Sequence, residues 1–557
     1  MAGTATAQEM VLPAGYPLYE ISSTTDVSPG YIFLSLNSRK EDTWLLIIDN
    51  YGTPIFYRYY TEMHNYFQLQ PSGYLSLSMK LQTGRTTAIL DSCYNIIDLV
   101  PIKNGYKIDR HDFLHTTGGE YILLGENPVK MDLSSIIEGG YQNTTVEGAV
   151  IQIQNKDKEV VFEWNAMDYF QITDSWVPLT SMSIDNVHPN SIETDLDGNL
   201  LLISRSMNEI TKINRVNGEI IWRLGGKKNQ FTFTDPSDAF SLPHSLGVLE
   251  NGNFVLFDNG NFHVPRYSRA IEYKLDINNM TVTRVWDYSA DKSYFSRIKG
   301  SAQRLENGNT IICYGALDDP AVLEVTKEGK VAMKIKYTEE MEYTLGAASP
   351  VAYKYPWKTS LFSADRDTVD FGEWDGHSHP VQSLKIHNNS DGELELSNYN
   401  LHSNAFYFNE GVFPLTLSAG EERSLDLYFF PANIDSNIIN DILTINSDIT
   451  SDTLIQRIAI QVYLKGTKTW TSFEEKTCDR FRVFPNPVHD YLYIDSHQSH
   501  HAVASIYTII NGSLLYRTDL SEDHTAIDLN ELEKGLYIIE IIDGTSSLVY
   551  RKKIVKD

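Results

Sequence analysis

Histidines at a recurring position are the most informative feature of the first 356 residues. This segment carries five turn glycines, at positions 73, 119, 198, 252 and 308. Eight residues before them stand, in order, Asn65, His111, Asn190, His244 and Gly300. Two more histidines, His64 and His188, lie one and two residues further upstream. Because a repeat returns its residues to one structural position, these side chains are expected to gather around one axis.

A small oxyanion such as sulfate or phosphate is one ligand that these side chains suit. Arg205 follows the second strand of its repeat, and the loop there is expected to return toward the same axis. Its guanidinium is a planar donor fork, and histidine and asparagine add N–H donors. One imidazole could also attack as a nucleophile. Two alternatives stay open: a metal site, although Asp112 is the one carboxylate at these strand starts, and ordinary polar residues in a wet channel.

The elements that must position these residues are hairpins of alternating apolar residues around short turns. Six are present, at 44–60, 88–102, 150–165, 210–225, 270–288 and 321–337. Four-stranded repeats of about 40–55 residues are typical of a β-propeller, whose innermost strands line a central channel. We therefore predict a six-bladed β-propeller over residues 16–356. Its first blade lacks an inner strand, and residues 344–355 are expected to supply it.

Two further β domains are predicted after the propeller, which makes the whole chain all-β. Residues 360–467 show the short, regularly spaced strands of an Ig-like β-sandwich. Residues 479–557 show a small C-terminal β-sandwich pattern. This last segment resembles the C-terminal sorting domain of type IX secretion in Bacteroidetes, through Phe484-Pro485-Asn486-Pro487, Gly535-Leu536-Tyr537 and the basic tail at 551–553. The resemblance implies the type IX machinery as a partner, export across the outer membrane, and release or surface attachment.

Composition narrows the possible partners. The net charge of −27 and the lack of a basic run argue against nucleic acid. Three cysteines, Cys93, Cys313 and Cys478, are too few for a disulfide framework. No run of 18 apolar residues is present, so no transmembrane helix is predicted. The oligomeric state is not indicated by the sequence.

The predicted propeller resembles the arylsulfate sulfotransferases, which move a sulfuryl group between phenols without a nucleotide donor. The resemblance lies in residues 111–124, 187–205 and 241–261, and the last of these is the most specific. It implies that His244 attacks sulfur and becomes sulfohistidine, that His188, Asn190 and Arg205 hold the sulfuryl oxygens, and that His111 carries the proton of the phenol. His115 is an alternative proton carrier, although His111 fits the repeat. No cofactor and no metal are implied.

The resulting hypothesis is an enzyme that takes aryl sulfates and phenols in a ping-pong cycle. A second hypothesis is a secreted propeller that binds or cleaves glycans, with Tyr66, Phe113 and Phe262 as stacking residues at the channel mouth. A third is an adhesion scaffold in which the Ig-like region binds the partner. The natural donor and acceptor are not indicated by the sequence.

Overall fold

The protein is built almost entirely of β-strands. A computed structural model describes residues 10–37, 42–82, 84–338, 349–374, 380–431, 434, 436–468, 480–496, 502–508, 514–520, 523–543 and 548–557. Within these ranges there are 44 strands, no α-helix, and four short 3₁₀ turns at 166–168, 172–174, 236–238 and 290–292. The predicted all-β class is therefore confirmed.

The strands up to residue 355 form the part of the fold that holds the repeated histidines. They are β1 (Tyr19–Ser23), β2 (Tyr31–Asn37), β3 (Thr43–Ile48), β4 (Pro54–Tyr60), β5 (Asn65–Leu69), β6 (Leu75–Leu81), β7 (Gly84–Leu90), β8 (Ile96–Val100), β9 (Lys107–His115), β10 (Tyr121–Met131), β11 (Thr144–Gln154), β12 (Val160–Asn165), β13 (Ser183–Asp185), β14 (Pro189–Thr194), β15 (Leu200–Ser204), β16 (Glu209–Ile213), β17 (Ile220–Gly225), β18 (Thr232–Phe233), β19 (His244–Val248), β20 (Phe254–Asp258), β21 (Arg269–Asp276), β22 (Thr281–Tyr288), β23 (Ser301–Arg304), β24 (Thr310–Cys313), β25 (Val322–Val325), β26 (Val331–Tyr337) and β27 (Tyr353–Tyr355).

The remaining strands belong to the C-terminal third of the chain. They are β28 (Phe362–Ala364), β29 (Thr368–Trp374), β30 (Val381–Asn388), β31 (Leu394–Leu396), β32 (Asn398–Asn400), β33 (Phe406–Phe408), β34 (Leu415–Leu417), β35 (Glu422–Phe429), β36 (Ile438–Thr450), β37 (Ile455–Lys468), β38 (Phe481–Phe484), β39 (Tyr491–Ser496), β40 (Ala502–Thr508), β41 (Leu514–Leu520), β42 (His524–Asp528), β43 (Gly535–Asp543) and β44 (Leu548–Lys556).

Six antiparallel sheets follow one another along the first part of the chain. Named by their strands from the inside outward, they are sheet 1 (β27-β2-β3-β4), sheet 2 (β5-β6-β7-β8), sheet 3 (β9-β10-β11-β12), sheet 4 (β14-β15-β16-β17), sheet 5 (β19-β20-β21-β22) and sheet 6 (β23-β24-β25-β26). The inner strands of sheets 2 to 6 contact one another in the same order, β23 of sheet 6 contacts β27 of sheet 1, and β2 of sheet 1 contacts β5 of sheet 2. Contacts between neighbouring sheets therefore form a closed circuit.

The five turn glycines have the conformation that the repeat predicts. Each has a positive φ between 80° and 89° and donates its N–H to the carbonyl of the residue three positions earlier. A left-handed backbone at a tight turn favours glycine because glycine has no Cβ to clash. The same turn thus closes the first hairpin of sheets 2 to 6.

Apolar side chains fill the spaces between neighbouring sheets. In β15, Leu200 and Leu202 pack with the core of sheet 3, whereas Leu201 and Ile203 pack with the core of sheet 5. Alternate residues of a strand point to opposite faces, so a strand covered on both sides becomes a continuous apolar run. This burial explains why the middle strands of the sheets lack a polar face.

Sheet 1 receives its inner strand from the far end of this segment. β27 pairs antiparallel with β2, with Tyr31 opposite Tyr355 and Phe33 opposite Tyr353. The predicted pairing is therefore present for residues 353–355, while 344–348 lie outside the described residues. At the other end of the segment, β1 pairs with β26 as an additional outer strand of sheet 6.

The chain divides into two compact units. One contains residues 12–361 together with 448–459, because residues 456–458 of β37 pair with residues 56–58 at the outer edge of sheet 1. Within it, the buried Arg457 guanidinium binds Asp448 through Nε at 2.6 Å and Nη2 at 2.9 Å. The other unit contains most of the C-terminal third of the chain. Four of its sheets have the strand orders β28-β30-β35-β33, β31-β34, β38-β39-β42 and β41-β40-β43-β44.

Candidate active site

Bulges interrupt the inner strands at the repeated position. In sheet 5, His244 pairs with Phe257 but Leu246 pairs with Leu256, and sheets 2 and 4 shift register near Asn65 and Asn190. Four non-glycine residues at these places have positive φ, namely Tyr66, His188, Ser245 and Lys299. Such backbone is strained for residues with a Cβ, and bulges re-aim side chains. The repeat therefore points its polar residues out of the regular strand direction.

His244 begins β19 and is held by a bond at each ring nitrogen. Its Nδ1–H donates to Oδ1 of Asn259 at 2.5 Å, because an amide oxygen can only accept. The backbone N–H of Lys299 donates to Nε2 at 3.2 Å. Nδ1 therefore carries the proton, and the lone pair of Nε2 accepts the Lys299 N–H. Burial, followed by the charge of Arg205, holds the pKa of His244 well below its usual range, which favours the neutral ring.

His111 and His188 form a pair of imidazoles beside His244. Their ring centroids are 4.9 Å apart, and both charges act to lower the pKa of His244. Nδ1 of His111 donates to Asp109 at 2.8 Å, and Nδ1 of His188 donates to Asp185. The expectation that Asp112 is the one nearby carboxylate is thus wrong. Asp112 instead accepts from Ser191 Oγ at 2.9 Å and from the Ile192 N–H at 3.0 Å.

The Asp109 carboxylate is well suited to hold His111. Its burial acts to raise its pKa, but the charge of His111 and their hydrogen bonds outweigh burial, so the pKa of Asp109 is lowered. The carboxylate therefore stays ionised at neutral pH and fixes Nδ1–H of His111. Nε2 of His111 is then the ring atom that can exchange a proton with a ligand.

Arg205 lies next to this pair. Its backbone N–H donates to the carbonyl of His188 at 2.9 Å, and its Nη2 donates to the carbonyl of Arg297 at 3.3 Å. Nε is buried and finds no hydrogen-bond partner among the described residues. Burial lowers the pKa of Arg205, partly opposed by Asp185 and reinforced by Arg297. A guanidinium with an unused buried donor is suited to an anionic ligand.

Asn190 contacts the segment that leads into His244. Its Nδ2 donates to the carbonyl of Pro243 at 3.1 Å, and its Oδ1 is buried without a hydrogen-bond partner in the described part of the chain. A buried polar atom left unpaired costs about 1–3 kcal/mol, so such atoms concentrate at sites that bind something. Asn190 therefore lies next to the segment that carries His244, and its Oδ1 can still accept a hydrogen bond from a ligand.

Two other histidines of the first unit lie in local surroundings of their own. His64, expected in the same funnel, stacks on Tyr60 with centroids 4.3 Å apart, and its Nδ1 donates to the Glu62 carbonyl at 2.9 Å. His115 bonds Ser72 Oγ at 2.9 Å and stacks on Tyr121. His115 is also four residues beyond His111 along β9, which is about 13 Å in a strand. Of the two candidates, it is His111 that lies beside His188.

Four polar residues at the site escaped the sequence analysis. Asp109 and Asp185 are the carboxylates behind His111 and His188, and their Asp-x-His and Asp-x-x-His spacing was a signal that could have found them. Asn259 and Lys299 bond the two nitrogens of His244. Lys299 directly precedes Gly300 of the repeat, which was a signal for its backbone N–H, and burial lowers the pKa of its side chain to about 8.

An exposed aromatic pair lies close to Arg205. Trp176 and Phe262 have ring centroids 5.4 Å apart, and the backbone N–H of Trp176 donates to the carbonyl of Ser206 at 2.8 Å. Asn261, next to Phe262, donates to the same Arg297 carbonyl that Arg205 contacts. Of the stacking residues named for the glycan hypothesis, Phe113 is instead buried in a core cluster. Tyr66 packs against His111.

Fold and site together define an all-β protein whose repeated sheets bring three imidazoles and a guanidinium together. Residues 19–346 match the family described as Arylsulfotransferase (ASST). This match covers more than half of the chain, so the chain belongs to the arylsulfotransferase family. Membership supports a sulfotransferase activity.

Individual relatives are distant. The chain is 24% identical over 163 residues to arylsulfate sulfotransferase AssT of Escherichia coli O6:H1, a match that covers 23% of this chain and 27% of that protein. The chain thus spans about a quarter of the length of this relative. Similar solved structures include a Bacteroides caccae protein of unknown function, with 14% identity, a TM-score of 0.37 and coverage of 59% and 99% of the two chains. Virginiamycin B lyase of Staphylococcus aureus has 10% identity, a TM-score of 0.27 and coverage of 58% and 99%.

The C-terminal segment carries an export signal. Residues 482–557 match the Secretion system C-terminal sorting domain, as the sequence resemblance indicated. The protein is therefore sorted by type IX secretion to the cell surface or the surrounding medium. Across the described ranges, no helix has the length and apolar character needed to span a bilayer.

Proposed function

We propose that the protein is a nucleotide-independent aryl-sulfate sulfotransferase that works by a ping-pong mechanism through a sulfohistidine at His244. The observation that carries this proposal is the state of the His244 ring. Its proton is held on Nδ1 by Asn259, and its pKa is lowered by burial and by Arg205. Its unprotonated Nε2 accepts only the long Lys299 N–H bond, which an incoming sulfur would displace. A neutral, oriented imidazole is the form that attacks sulfur.

In the first half-reaction, Nε2 of His244 forms a bond to the sulfur of an aryl sulfate. The bond from sulfur to the phenolic oxygen breaks, and its electron pair leaves with the phenol. Sulfuryl transfer resembles phosphoryl transfer, in which catalysis consists mainly of positioning and charge stabilisation. Arg205, His188 and Asn190 would supply the donors for the sulfuryl oxygens. The backbone N–H of Lys299, which donates to Nε2 at 3.2 Å before the attack, would be released when Nε2 bonds to sulfur and could then donate to a sulfuryl oxygen.

His111 would give a proton to the departing phenolate and take it from the acceptor phenol in the second half-reaction. Asp109 supports this role because it fixes Nδ1–H and leaves Nε2 to exchange the proton. The first phenol leaves before the acceptor binds, which defines the ping-pong order. No cofactor enters either step.

The aryl ring of the substrate would lie against Trp176 and Phe262. Both rings are about half exposed, and Lys227 Nζ lies 5.3 Å from the Trp176 ring centroid. Aromatic faces bind other rings by offset or edge contacts. The hydrogen bonds from the Trp176 backbone N–H to Ser206 and from the Asn261 side chain to Arg297 would keep that surface next to the sulfuryl site.

The domain organisation supports the same proposal. We interpret sheets 1 to 6 as the blades of a six-bladed propeller at about residues 16–356, since contacts between neighbouring sheets, from β2 and β5 around to β23 and β27, form a closed circuit. Residues 360–467 are interpreted as an Ig-like sandwich, except for residues 448–459. Those residues belong to the first unit, where residues 456–458 pair with sheet 1. Residues 479–557 form the sorting domain and take no part in the chemistry.

The decisive test is mass spectrometry of the protein after exposure to 4-nitrophenyl sulfate and a rapid alkaline quench. The expected result is an adduct with the mass of SO₃ on the peptide that contains His244. His244→Ala is expected to lose both the adduct and transfer to an added phenol. His115→Ala is the matched control, because its ring lies in the same unit but outside the site. Undiminished turnover in a folded His244→Ala protein would refute the proposed nucleophile.

A further inference from the structure

Each of the three imidazoles at the site is anchored through Nδ1, but the anchors differ in kind. His111 and His188 donate to the carboxylates of Asp109 and Asp185. His244 alone donates to an amide, that of Asn259. We propose that Asn259 is a positioning residue that keeps the proton on Nδ1 of His244 throughout both half-reactions, so that the sulfuryl group can leave again. This inference rests on the proposed function.

The Asn259 side chain is fixed in the orientation that this role requires. The residue is fully buried, and its Nδ2 donates to the carbonyls of Ser296 at 2.7 Å and Lys299 at 2.9 Å. Both N–H groups are thereby used. A flipped amide would place its oxygen against two carbonyl oxygens, which is repulsive. Oδ1 can therefore only face His244, where it accepts from Nδ1–H at 2.5 Å.

The backbone around Asn259 is held equally firmly. Ser268 Oγ donates to the Asn259 carbonyl at 2.8 Å, and the Ser296 N–H donates to that hydroxyl at 2.8 Å. Two acceptors of the amide, at Ser296 and Lys299, lie on the segment that also carries the N–H donor to Nε2 of His244. Both nitrogens of the catalytic ring are therefore tied to one segment, Nδ1 through the Asn259 amide and Nε2 through the Lys299 N–H.

The chemical difference between an amide and a carboxylate appears once the sulfuryl group is bound. When neutral His244 attacks through Nε2, the product is an imidazolium with hydrogen on Nδ1 and SO₃ on Nε2. In the second half-reaction the acceptor oxygen bonds to sulfur and loses its proton to His111. The N–S bond then breaks, and its electron pair returns to Nε2, so a neutral imidazole departs. An amide oxygen does not take the Nδ1 proton, and the intermediate stays in this reactive form.

A carboxylate in the place of Asn259 could take that proton. The result would be a neutral N-sulfonated imidazole, from which the sulfuryl group can leave only by expelling an imidazolide anion. Imidazolide is a far poorer leaving group than neutral imidazole. The intermediate would then form but persist. The carboxylates of Asp109 and Asp185 do not slow the reaction in this way, because neither of their histidines forms a bond to sulfur. His111 transfers the proton and His188 binds a sulfuryl oxygen.

The test compares wild type, Asn259→Asp and the control Asn251→Asp in rapid-mixing experiments with 4-nitrophenyl sulfate and phenol. Asn251 lies at an exposed turn of the same sheet, where its Oδ1 accepts the Asn253 N–H, a role that aspartate also fills. For Asn259→Asp we expect a burst of one nitrophenol per enzyme, followed by turnover slowed about a hundredfold. The amount of sulfuryl-enzyme that accumulates should equal the amount of nitrophenol released in the burst. Asn251→Asp should match wild type.

The outcomes separate the two proposals. A wild-type enzyme that never labels His244 refutes the proposed function. Suppose that wild type is labelled at His244, but Asn259→Asp is slowed equally in both half-reactions and its sulfuryl-enzyme does not accumulate. That result refutes the role of Asn259 and leaves the proposed function standing. Should the variant not fold, the isolated wild-type sulfuryl-enzyme gives a second test. Its reaction with phenol should slow at high pH as Nδ1–H is lost, and a rate that only rises with pH overturns the inference.

Discussion

Replacing Arg205 by glutamine should change the enzyme in two ways that a merely structural residue would not. The guanidinium has a buried Nε without a hydrogen-bond partner among the described residues, and its charge lowers the pKa of His244. Glutamine keeps part of the volume and can still donate hydrogen bonds, but it has no charge. The variant should therefore lose stabilisation of the sulfuryl oxygens and also change the protonation of the nucleophile.

The size of the first effect follows from the donors available. Nη2 is engaged by the Arg297 carbonyl at 3.3 Å, a long bond that a sulfuryl oxygen can replace, and Nε is unused. Loss of one preorganised donor to a transition-state oxyanion costs about 2.7–4 kcal/mol, or about 10²–10³ in kcat. We expect Arg205→Gln to fall in that range at pH 8, where His244 is neutral in both proteins.

The second effect has a definite sign. Burial is the larger cause of the low pKa of His244, and the positive charge of Arg205 adds to it. Removal of that charge should raise the pKa of His244, so more of the ring is protonated as the pH falls. The acid limb of kcat/KM should therefore move to higher pH, and the loss relative to wild type should grow on acidification.

The assay is release of 4-nitrophenol from 4-nitrophenyl sulfate in the presence of phenol, followed over a range of pH. Arg215→Gln is the matched control, since Arg215 binds Glu120 at 2.9 Å and has no contact with the site histidines. An Arg205→Gln enzyme within tenfold of wild type, or one with an unmoved acid limb, would contradict the placement of this guanidinium beside His244.

Three further predictions concern other parts of the molecule. Asp109→Asn should weaken proton transfer by His111, with a loss of about tenfold to a hundredfold for sulfates of alkyl phenols and a smaller loss for 4-nitrophenyl sulfate, whose leaving group needs no proton; equal losses would contradict this. Trp176→Ala should raise KM for aryl sulfates about tenfold with little change in kcat, as measured by steady-state kinetics. Arg457→Met should destabilise the first unit by about 3 kcal/mol, because it breaks a buried pair with Asp448, and a thermal melt would detect it.

The repeated part of the fold was accessible from the sequence because it is encoded locally. Each predicted hairpin lies within about 20 residues of chain, and the first turn of sheets 2 to 6 carries a glycine with positive φ, so both leave a pattern that recurs. Pairings between distant segments leave no such pattern. The addition of β1 to sheet 6 and of residues 456–458 to sheet 1 was therefore not foreseen, whereas β27 was inferred because sheet 1 lacked a strand.

The site was predictable to the extent that it follows the repeat. His111, Asn190 and His244 share a register, and the structure brings His111 and His188 into contact and places Arg205 beside them. The same register also predicted His64, which the structure places in a local pocket instead. The anchoring groups were missed because they do not occupy the repeated position itself: Asp109 lies within β9, Asp185 ends β13, Asn259 follows β20 and Lys299 precedes β23. The Asp-x-His and Asp-x-x-His spacings marked Asp109 and Asp185 as candidates, but how each group meets its ring depends on bulges and strained backbone.

The pairing of β27 with β2 in sheet 1 and of β1 with β26 in sheet 6 affects how the protein folds. Tyr31–Phe33 must wait for Tyr353–Tyr355, and Tyr19–Ser23 must wait for Met333–Tyr337. An emerging chain cannot complete either end of the circuit until more than 300 further residues have followed. Contacts over such separations form slowly. A polypeptide bound for export therefore has a long interval in which its first unit is unfinished, which is the state that a translocation apparatus can still thread.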